Sequence, residues 1–386
     1  MTDYTPAQRT WKIFKRNKAA VAGMLIIILA VLVAILGYLI MPDDSPSANN
    51  MSLQLSLKKP GANYQMLLLR KEQQTDTVNW FTKMLYGQPA LYQEIPIVTY
   101  YFKADSIILN AYVSDEDKPD RQAYNIAEVI NGQKALQKTQ LINLNSLYEQ
   151  IRAEHIQRKS FWLGTDIYGR DLLSRIILGA RISLSVGLMA VLISLFIGVT
   201  IGALAGYYGG WMDAALSWVM NILWSLPALL LVIALSFALG KGLWQIFIAV
   251  GLSMWVEAAR LVRGQVISLK QAEYIEAARA LGYKNLRIIA RHILPNMAGP
   301  VLVIASSNFA SAILLEAGLS FLGFGAQPPT PTWGGMIREH YGYIIMDSAY
   351  LAVLPGLAIM LMVYAFNLVT VGLRDAFDIK SQNLQM

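Results

Sequence analysis

The run Tyr274-Ile275-Glu276-Ala277-Ala278-Arg279-Ala280-Leu281-Gly282, followed by Arg291-His292-Ile293-Leu294-Pro295-Asn296, is a charged stretch between two apolar ones. Its residue types suit recognition rather than bond-making. Ile275, Ala278 and Leu281, then Leu286, Ile289 and Ile293, recur at helical spacing. This predicts two short helices broken at Gly282, because glycine tolerates the left-handed conformation that ends a helix. Pro295 suits the first turn of the helix that follows. Ala277, Ala278 and Ala280 leave the first helix thin enough to enter a cleft. Glu276, Arg279, Arg287 and Arg291 can pair with charges on the rim of that cleft. The same spacing fits an amphipathic helix lying on a membrane surface, and spacing alone does not separate the two readings.

Other polar residues stand inside apolar runs. Glu316 lies near the outer end of one, and an intramembrane carboxylate is costly and marks function by default. It could contact a solute, pair with Arg338 or cap a gate; the alternative is an interfacial carboxylate snorkelling outward. Asn308 and Asn367 fit either helix–helix hydrogen bonds or solute contacts. Gly198, Gly202 and Gly206 recur every four residues. Small residues on one face let a second helix approach closely, or they could line a ligand groove. His155, His292 and His340 show no metal spacing, and His155, among charged residues, is expected on the exposed face of a helix. There is no Gly-x-x-x-x-Gly-Lys-Ser/Thr phosphate loop, and no lysine follows the Gly206–Gly210 turn. The chain is therefore expected to hold no catalytic group, cofactor or metal.

These residues need a membrane scaffold. The chain is 55% hydrophobic and 15% charged, against about 25% charged in soluble domains. Ala19–Met41, Ile182–Met212, Ala214–Gly240, Asn296–Leu315 and Ser348–Leu373 each reach the roughly 20 residues of a spanning helix. The shorter Gly242–Val256 spans if Glu257 and Arg260 sit at the interface. Six spans are predicted, with kinks possible at Pro227, Pro300 and Pro355. The first apolar run is too long for the core of a cleaved signal peptide.

The net charge of +7 reports topology rather than nucleic acid. Arg9, Lys12, Lys15, Arg16 and Lys18 crowd the N-terminal tail. Arg260, Arg263, Lys270, Arg279, Lys284, Arg287 and Arg291 crowd the 260–291 loop, and Arg374 and Lys380 the C-terminal tail. The two short loops on the other side carry Lys241 and Arg338. By the positive-inside rule both termini are cytoplasmic. Cysteine is absent, which excludes disulfides, thiolate metal sites and lipoprotein acylation.

Residues 42–160 form a soluble insertion of α+β type, outside the cytoplasm. Met51, Leu53, Leu55 and Leu57 alternate with polar residues, which predicts a half-buried strand. Lys59-Pro60-Gly61 is a turn. Ile95–Phe102 and Ser106–Val113 are strands, Asp115–Asp120 a solvated loop, and Asn145–Lys159 a helix. Leu163–Asp171 is expected as an amphipathic approach to the second span.

The pattern Glu276-Ala277-Ala278, three residues, Gly282, nine residues, then His292 ahead of Leu294-Pro295 is similar to the signature of binding-protein-dependent ABC importer permeases. His292 stands where most of that family has isoleucine, as in its peptide-transport branch. Leu163–Asp171, Gly206–Asp213, Glu316–Gly323, Pro328-Pro329, Thr332–Gly334, Leu373–Asp375 and Phe14–Ala20 resemble the same branch, in the right order. The likeness covers 11–41 and 161–378. It departs at Ser217, Trp218 and Asn221, where the family has Met-Arg and a later Asp, and at Thr370-Val371 in place of Gly-Asp.

The resemblance implies a mainly α, polytopic membrane helical bundle of type I importer kind. Its parts would be an N-terminal cytoplasmic tail 1–18, a first span 19–41, the insertion 42–160, and a permease core 161–378 with a coupling loop 263–295. A tail 379–386 would follow. In that loop Glu276, Ala277, Ala278, Arg279, Gly282, Arg291, His292, Leu294 and Pro295 would meet the ATPase. Glu316, Asn308 and Asn367 would be pathway or gate candidates. The implied partners are a homologous second permease, two ATPase subunits that bind ATP and Mg, an extracytoplasmic solute-binding protein and the bilayer of a bacterial inner membrane. The implied solute is a di- or oligopeptide, with a nickel complex or another small solute as the alternative. A membrane-anchored sensor needs a cytoplasmic output domain, for which tails of about 18 and 13 residues leave no room. A secondary carrier usually shows internal repeats, and none is visible.

Overall fold

A computed structural model describes residues 6–71, 78–132, 143–240 and 242–378. The chain divides into two compact units, Met1–Leu32 with Ala180–Glu339 and Val353–Met386, and Val33–Gly179 with His340–Ala352.

The first unit is helical. Helix α1 (Pro6–Arg16) precedes α2 (Lys18–Ile40), a 23-residue apolar helix whose residues from Val33 onward belong to the second unit. Among the described residues five helical stretches are long and apolar enough to cross a membrane: Lys18–Ile40, Leu172–Tyr208, Leu243–Leu269, Asn285–Phe321 and Tyr350–Phe377. A sixth is a broken pair bent by 94°.

That pair covers the run Ala214–Gly240, where one span with a possible kink at Pro227 is expected, and it is broken there. Gly210–Trp224 and Ala228–Leu239 are separate helices meeting at Pro227. Proline has no N–H to continue the ladder and its ring clashes with the preceding turn. Pro300, by contrast, lies in the first turn of Ala298–Phe321, where the missing N–H costs nothing, and Pro355 lies inside Tyr350–Phe377. The short apolar run at 242–256 belongs to a 27-residue helix, Leu243–Leu269, that continues through Glu257, Arg260 and Arg263. Its polar end is satisfied by the preceding helices. Arg263 forks onto both oxygens of Asp213 at 2.5 and 2.7 Å, and Arg260 donates to Asn221 at 2.7 Å.

The second unit is built on a five-stranded antiparallel sheet of order β4-β3-β2-β1-β5. The strands are β1 (Ala62–Arg70), β2 (Tyr92–Lys103), β3 (Ser106–Ala111), β4 (Asp120–Asn125) and β5 (Ile156–Phe161). Helix α3 (Trp80–Tyr86) connects β1 to β2, α4 (Ile126–Asn131) follows β4, and α5 (Leu144–Gln150) leads to β5. One face buries Leu67, Leu69, Ile95, Ile97, Ile107 and Leu109 against Ile126, Val129 and Ile151. Lys58 donates to Asp115 (2.7 Å) and to the Tyr112 hydroxyl (2.6 Å). Burial pushes the Tyr112 phenol up to about 12. Hydrogen bonds from Lys58 and Tyr112 hold the Asp115 carboxyl below its usual range.

Several expectations for this unit are overturned. Residues 51–57 form no strand: Leu53–Leu55 is a single 3-10 turn, and Leu57 takes φ +58°. The N–H groups of Ser52 and Leu57 go to the carbonyls of Tyr168 and Asp166 instead of a ladder. Asn145–Lys159 is helical through His155, its last turn a wider π turn at Ile151–His155, and only Ile156–Lys159 departs by entering β5. His155 is buried, not exposed; its Nδ1 lies 2.8 Å from the Leu68 carbonyl and its ring meets Tyr92 edge-on. Leu163–Asp171, ahead of the helix at Leu172–Tyr208, is a tight loop closed by a Thr165–Asp171 bridge. Buried Asp166 organises it, accepting from the Tyr168 and Arg170 N–H groups and from the Arg170 guanidinium at 2.6 Å.

Candidate functional site

After the sheet in sequence, α6 is Leu172–Tyr208, α7 Gly210–Trp224, α8 Ala228–Leu239, α9 Leu243–Leu269, α10 Glu273–Ala280, α11 Asn285–Ile288, α12 Ala298–Phe321, α13 Trp333–His340 and α14 Tyr350–Phe377. The charged stretch singled out in the sequence is α10 and α11 with the turns that follow, Ile289–Ile293 and Leu294–Met297.

This stretch is a platform with two sides. Ile275, Ala278, Ile288, Ile289, Ile293 and Met297 are buried together with Ala203 and Tyr207 of α6 and Val262 and Val266 of α9. Glu276, Ala277, Arg279, Ala280, Gly282, Arg291 and Pro295 are exposed, and His292 and Leu294 are half-buried. Leu281 and Leu286 stand out at 73% and 69% exposure, where an apolar side chain gains nothing from water.

The break between α10 and α11 is a Schellman end. The Gly282 N–H donates to the Arg279 carbonyl at 2.9 Å and the Tyr283 N–H to the Ala278 carbonyl at 3.2 Å. Gly282 holds φ +76°, with open space where a Cβ would stand. Glycine is used here for its backbone freedom and not for room.

Tyr207 braces the platform, and no spacing in the sequence points to it. Its hydroxyl donates to Asn285 at 3.0 Å, its carbonyl accepts from Lys270, and the Arg279 guanidinium lies 5.5 Å from its ring centre. Arg287 lies 4.6 Å over Tyr283, whose ring stacks on His292. Asn296 donates to the His292 carbonyl at 2.7 Å.

Gly198, Gly202 and Gly206 meet α9 along one line. A Cβ on them would stand 2.7, 2.3 and 2.8 Å from the carbonyl oxygens of Trp255, Ala259 and Arg263. The stripe is occupied by a helix backbone and leaves no ligand groove.

Glu316 of α12 is buried. Its carboxylate accepts from Ser320 at 2.7 Å and from Ser183 of α6 at 3.1 Å, and Thr332 donates to Ser320 at 3.3 Å. Snorkelling outward is excluded by that burial. Among the described residues no ion pair joins it to Arg338, whose guanidinium lies against Gly323. Asn308 is buried and donates to Ser194 of α6 at 3.4 Å, while its Oδ1 has no partner among the described residues. Asn367 is exposed on α14 and, among the described residues, makes no helix–helix hydrogen bond. α12 and α14 are joined at Ser306, which donates to the Phe366 carbonyl at 3.1 Å and accepts from Thr370 at 2.9 Å.

Comparison with known proteins adds the following. Residues 198–381 match the family described as binding-protein-dependent transport system inner membrane component, and residues 5–60 the N-terminal TM domain of oligopeptide transport permease C. Residues 61–197 lie outside both matches. The glutathione transport system permease protein GsiD of Pectobacterium atrosepticum is 45% identical over 219 residues, 57% of this chain and 72% of its own. The dipeptide transport system permease protein DppC of Alkalihalophilus pseudofirmus is 46% identical over 222 residues, 58% and 73% respectively. A chain from a solved structure of the inward-facing MetNI methionine ABC transporter aligns over 54% of this chain and 98% of its own, with 19% identity and a TM-score of 0.42.

Proposed function

This chain belongs to the binding-protein-dependent transport system inner membrane components, and from that premise we propose that it moves small peptides by coupling its α10–α11 platform to partner ATPases. It is a multi-pass permease subunit of an ABC importer. The observation that carries the coupling reading is the two-sided platform. Six buried side chains seat it on α6 and α9, so a force on its exposed ridge reaches those two helices through close-packed contacts. The ridge is thin at Ala277 and Ala280, apolar at Leu281 and Leu286, and charged at Glu276, Arg279 and Arg287. These are the properties of a knob for a protein cleft.

The complex in this reading contains a homologous second permease, two ATPase subunits that carry ATP and Mg, and an extracytoplasmic solute-binding protein. The solute is a dipeptide or short oligopeptide, the class named for the two relatives. Both termini and the platform are cytoplasmic, and the insertion faces the other side. The chain has no cysteine, so single cysteines report its orientation. Lys118→Cys and Ser348→Cys are expected to react with an impermeant thiol reagent in intact cells, and Lys284→Cys only after permeabilisation. Labelling of Lys284→Cys in intact cells would overturn the orientation. The coupling role is tested by crosslinking Leu281→Cys to the copurified ATPase. Absence of any crosslink in an active complex would refute it.

A further inference from the structure

In helix α3 of the sheet unit none of the seven residues is buried. Its sequence is Trp80-Phe81-Thr82-Lys83-Met84-Leu85-Tyr86, and Trp80, Phe81 and Tyr86 are 65%, 60% and 70% exposed. A solvated surface helix carries polar residues on its outer side. Here the one charge, Lys83, is already engaged at 2.6 Å by Asp44.

The position of α3 is fixed against the C-terminal end of α2. The Gln88 N–H donates to the Asp44 carbonyl at 2.8 Å. Gly87, at φ +82°, lies so close to Tyr38 that a Cβ would stand 2.7 Å from the tyrosine ring. The Gln88 side chain also accepts from the Val78 N–H, so both ends of the α3 segment return to the same rim. Tyr38 is in the last turn of α2. At roughly 1.5 Å per residue α2 slightly exceeds a hydrocarbon core of about 30 Å, which puts that turn at the membrane–water interface. Ile35, Leu36 and Ile40 beside it are exposed and apolar, so the lipid-facing surface runs up to the place where α3 is attached.

We propose that α3 is a membrane-surface helix, with Trp80, Phe81 and Tyr86 in the headgroup zone of the leaflet that meets the C-terminal end of α2. Amphipathic aromatic rings collect at this depth because one part is apolar and another is wet. The proposal rests on Lys18–Ile40 being a membrane span and is independent of which side of the membrane that end faces. It makes the insertion a domain held at the bilayer by two attachments, its covalent link to α2 and this aromatic foot.

The test uses the assembled transporter in vesicles of phosphatidylethanolamine and phosphatidylglycerol. Nitroxides are placed on Phe81→Cys, on Leu36→Cys within the span, and on Lys103→Cys at the hairpin end of the twelve-residue β2. Collision with dissolved oxygen and with a water-soluble nickel chelate gives the depth of each label. The Phe81 label is expected to match the Leu36 label in favouring oxygen, several-fold above the Lys103 label. A Phe81 label that meets the chelate as freely as Lys103 overturns the proposal. So does one shielded from both reagents, which would mean that α3 is covered by protein. A Leu36 label open to the chelate removes the span itself, a failure distinguishable from that of α3 alone.

Discussion

The platform at 273–297 and the sheet at 62–161 bury their apolar residues in opposite ways. The platform has no core of its own. Its isoleucines are buried only because Ala203, Tyr207, Val262 and Val266 of two membrane helices complete the cluster. The sheet closes its core from within, since every residue of its main cluster lies between Leu67 and Ile151. The first arrangement suits an element that must transmit displacement, because it cannot move without its neighbours. The second suits a domain that can be added to a scaffold without disturbing it.

The comparison is broken most directly at the seat of the platform. Gly202→Leu would drive a side chain into the Ala259 carbonyl, 2.3 Å from the new Cβ. Overpacking against backbone costs about 1–3 kcal/mol or more. We expect loss of the folded subunit from membranes, measured as protease resistance and yield, together with loss of transport. If Gly202→Leu transports normally, α6 and α9 do not carry the coupling.

Next in size is a matched pair of cavities. Ile275→Ala and Ile107→Ala each empty a fully buried site at about 2–5 kcal/mol. Ile275→Ala is expected to uncouple ATP hydrolysis from transport. Ile107→Ala is expected to open the sheet to limited proteolysis while ATPase coupling stays at the wild-type level. Equal effects of both on coupling would erase the distinction between the regions.

Gly282→Val sharpens the same contrast at one residue. The site has room, so the cost of roughly 1–3 kcal/mol comes from the left-handed φ alone. Membrane insertion should be normal and coupling lost. Gly282→Asn should restore most of it, because asparagine tolerates that conformation. Failure of Asn to rescue would show that bulk, not backbone, matters there.

The smallest effect belongs to the sheet unit. Asp115 titrates below its unfolded value because Lys58 and Tyr112 donate to it. A depressed carboxylate contributes stability above its unfolded pKa of about 3.9 and loses it as pH falls through the folded value. Asp115 is largely solvent-exposed, so Asp115→Asn should cost under about 1 kcal/mol near neutrality and flatten the acid limb of the unfolding curve. A steeper acid limb in the variant would contradict the sign.

Much of this molecule was legible in one dimension. Charge distribution and apolar run length determine the spans, because a bilayer leaves a backbone almost no choice but a helix. The Gly282 break, the presence of β2 and β3 and the thin face of α10 follow from local rules of spacing and backbone freedom. What the sequence hid depends on partners distant in the chain. The alternation at 51–57 imitates a strand, yet its N–H groups are taken by the 166–168 loop. His155 has charged neighbours in sequence and a buried place in space, against Leu68 and Tyr92. Asn308 and Asn367 look alike in apolar runs, and only packing puts one in the interior and the other on the exposed face of α14. Tyr207 braces the platform through contacts 63 and 78 residues away, a separation that no local pattern encodes. Local sequence determined the long apolar helices, the Gly282 break and the presence of β2 and β3, but not the turn at 51–57 or the strand at Ile156–Phe161. Tertiary packing decided which of their polar atoms meet protein and which face outward, because that choice depends on surfaces from distant parts of the chain.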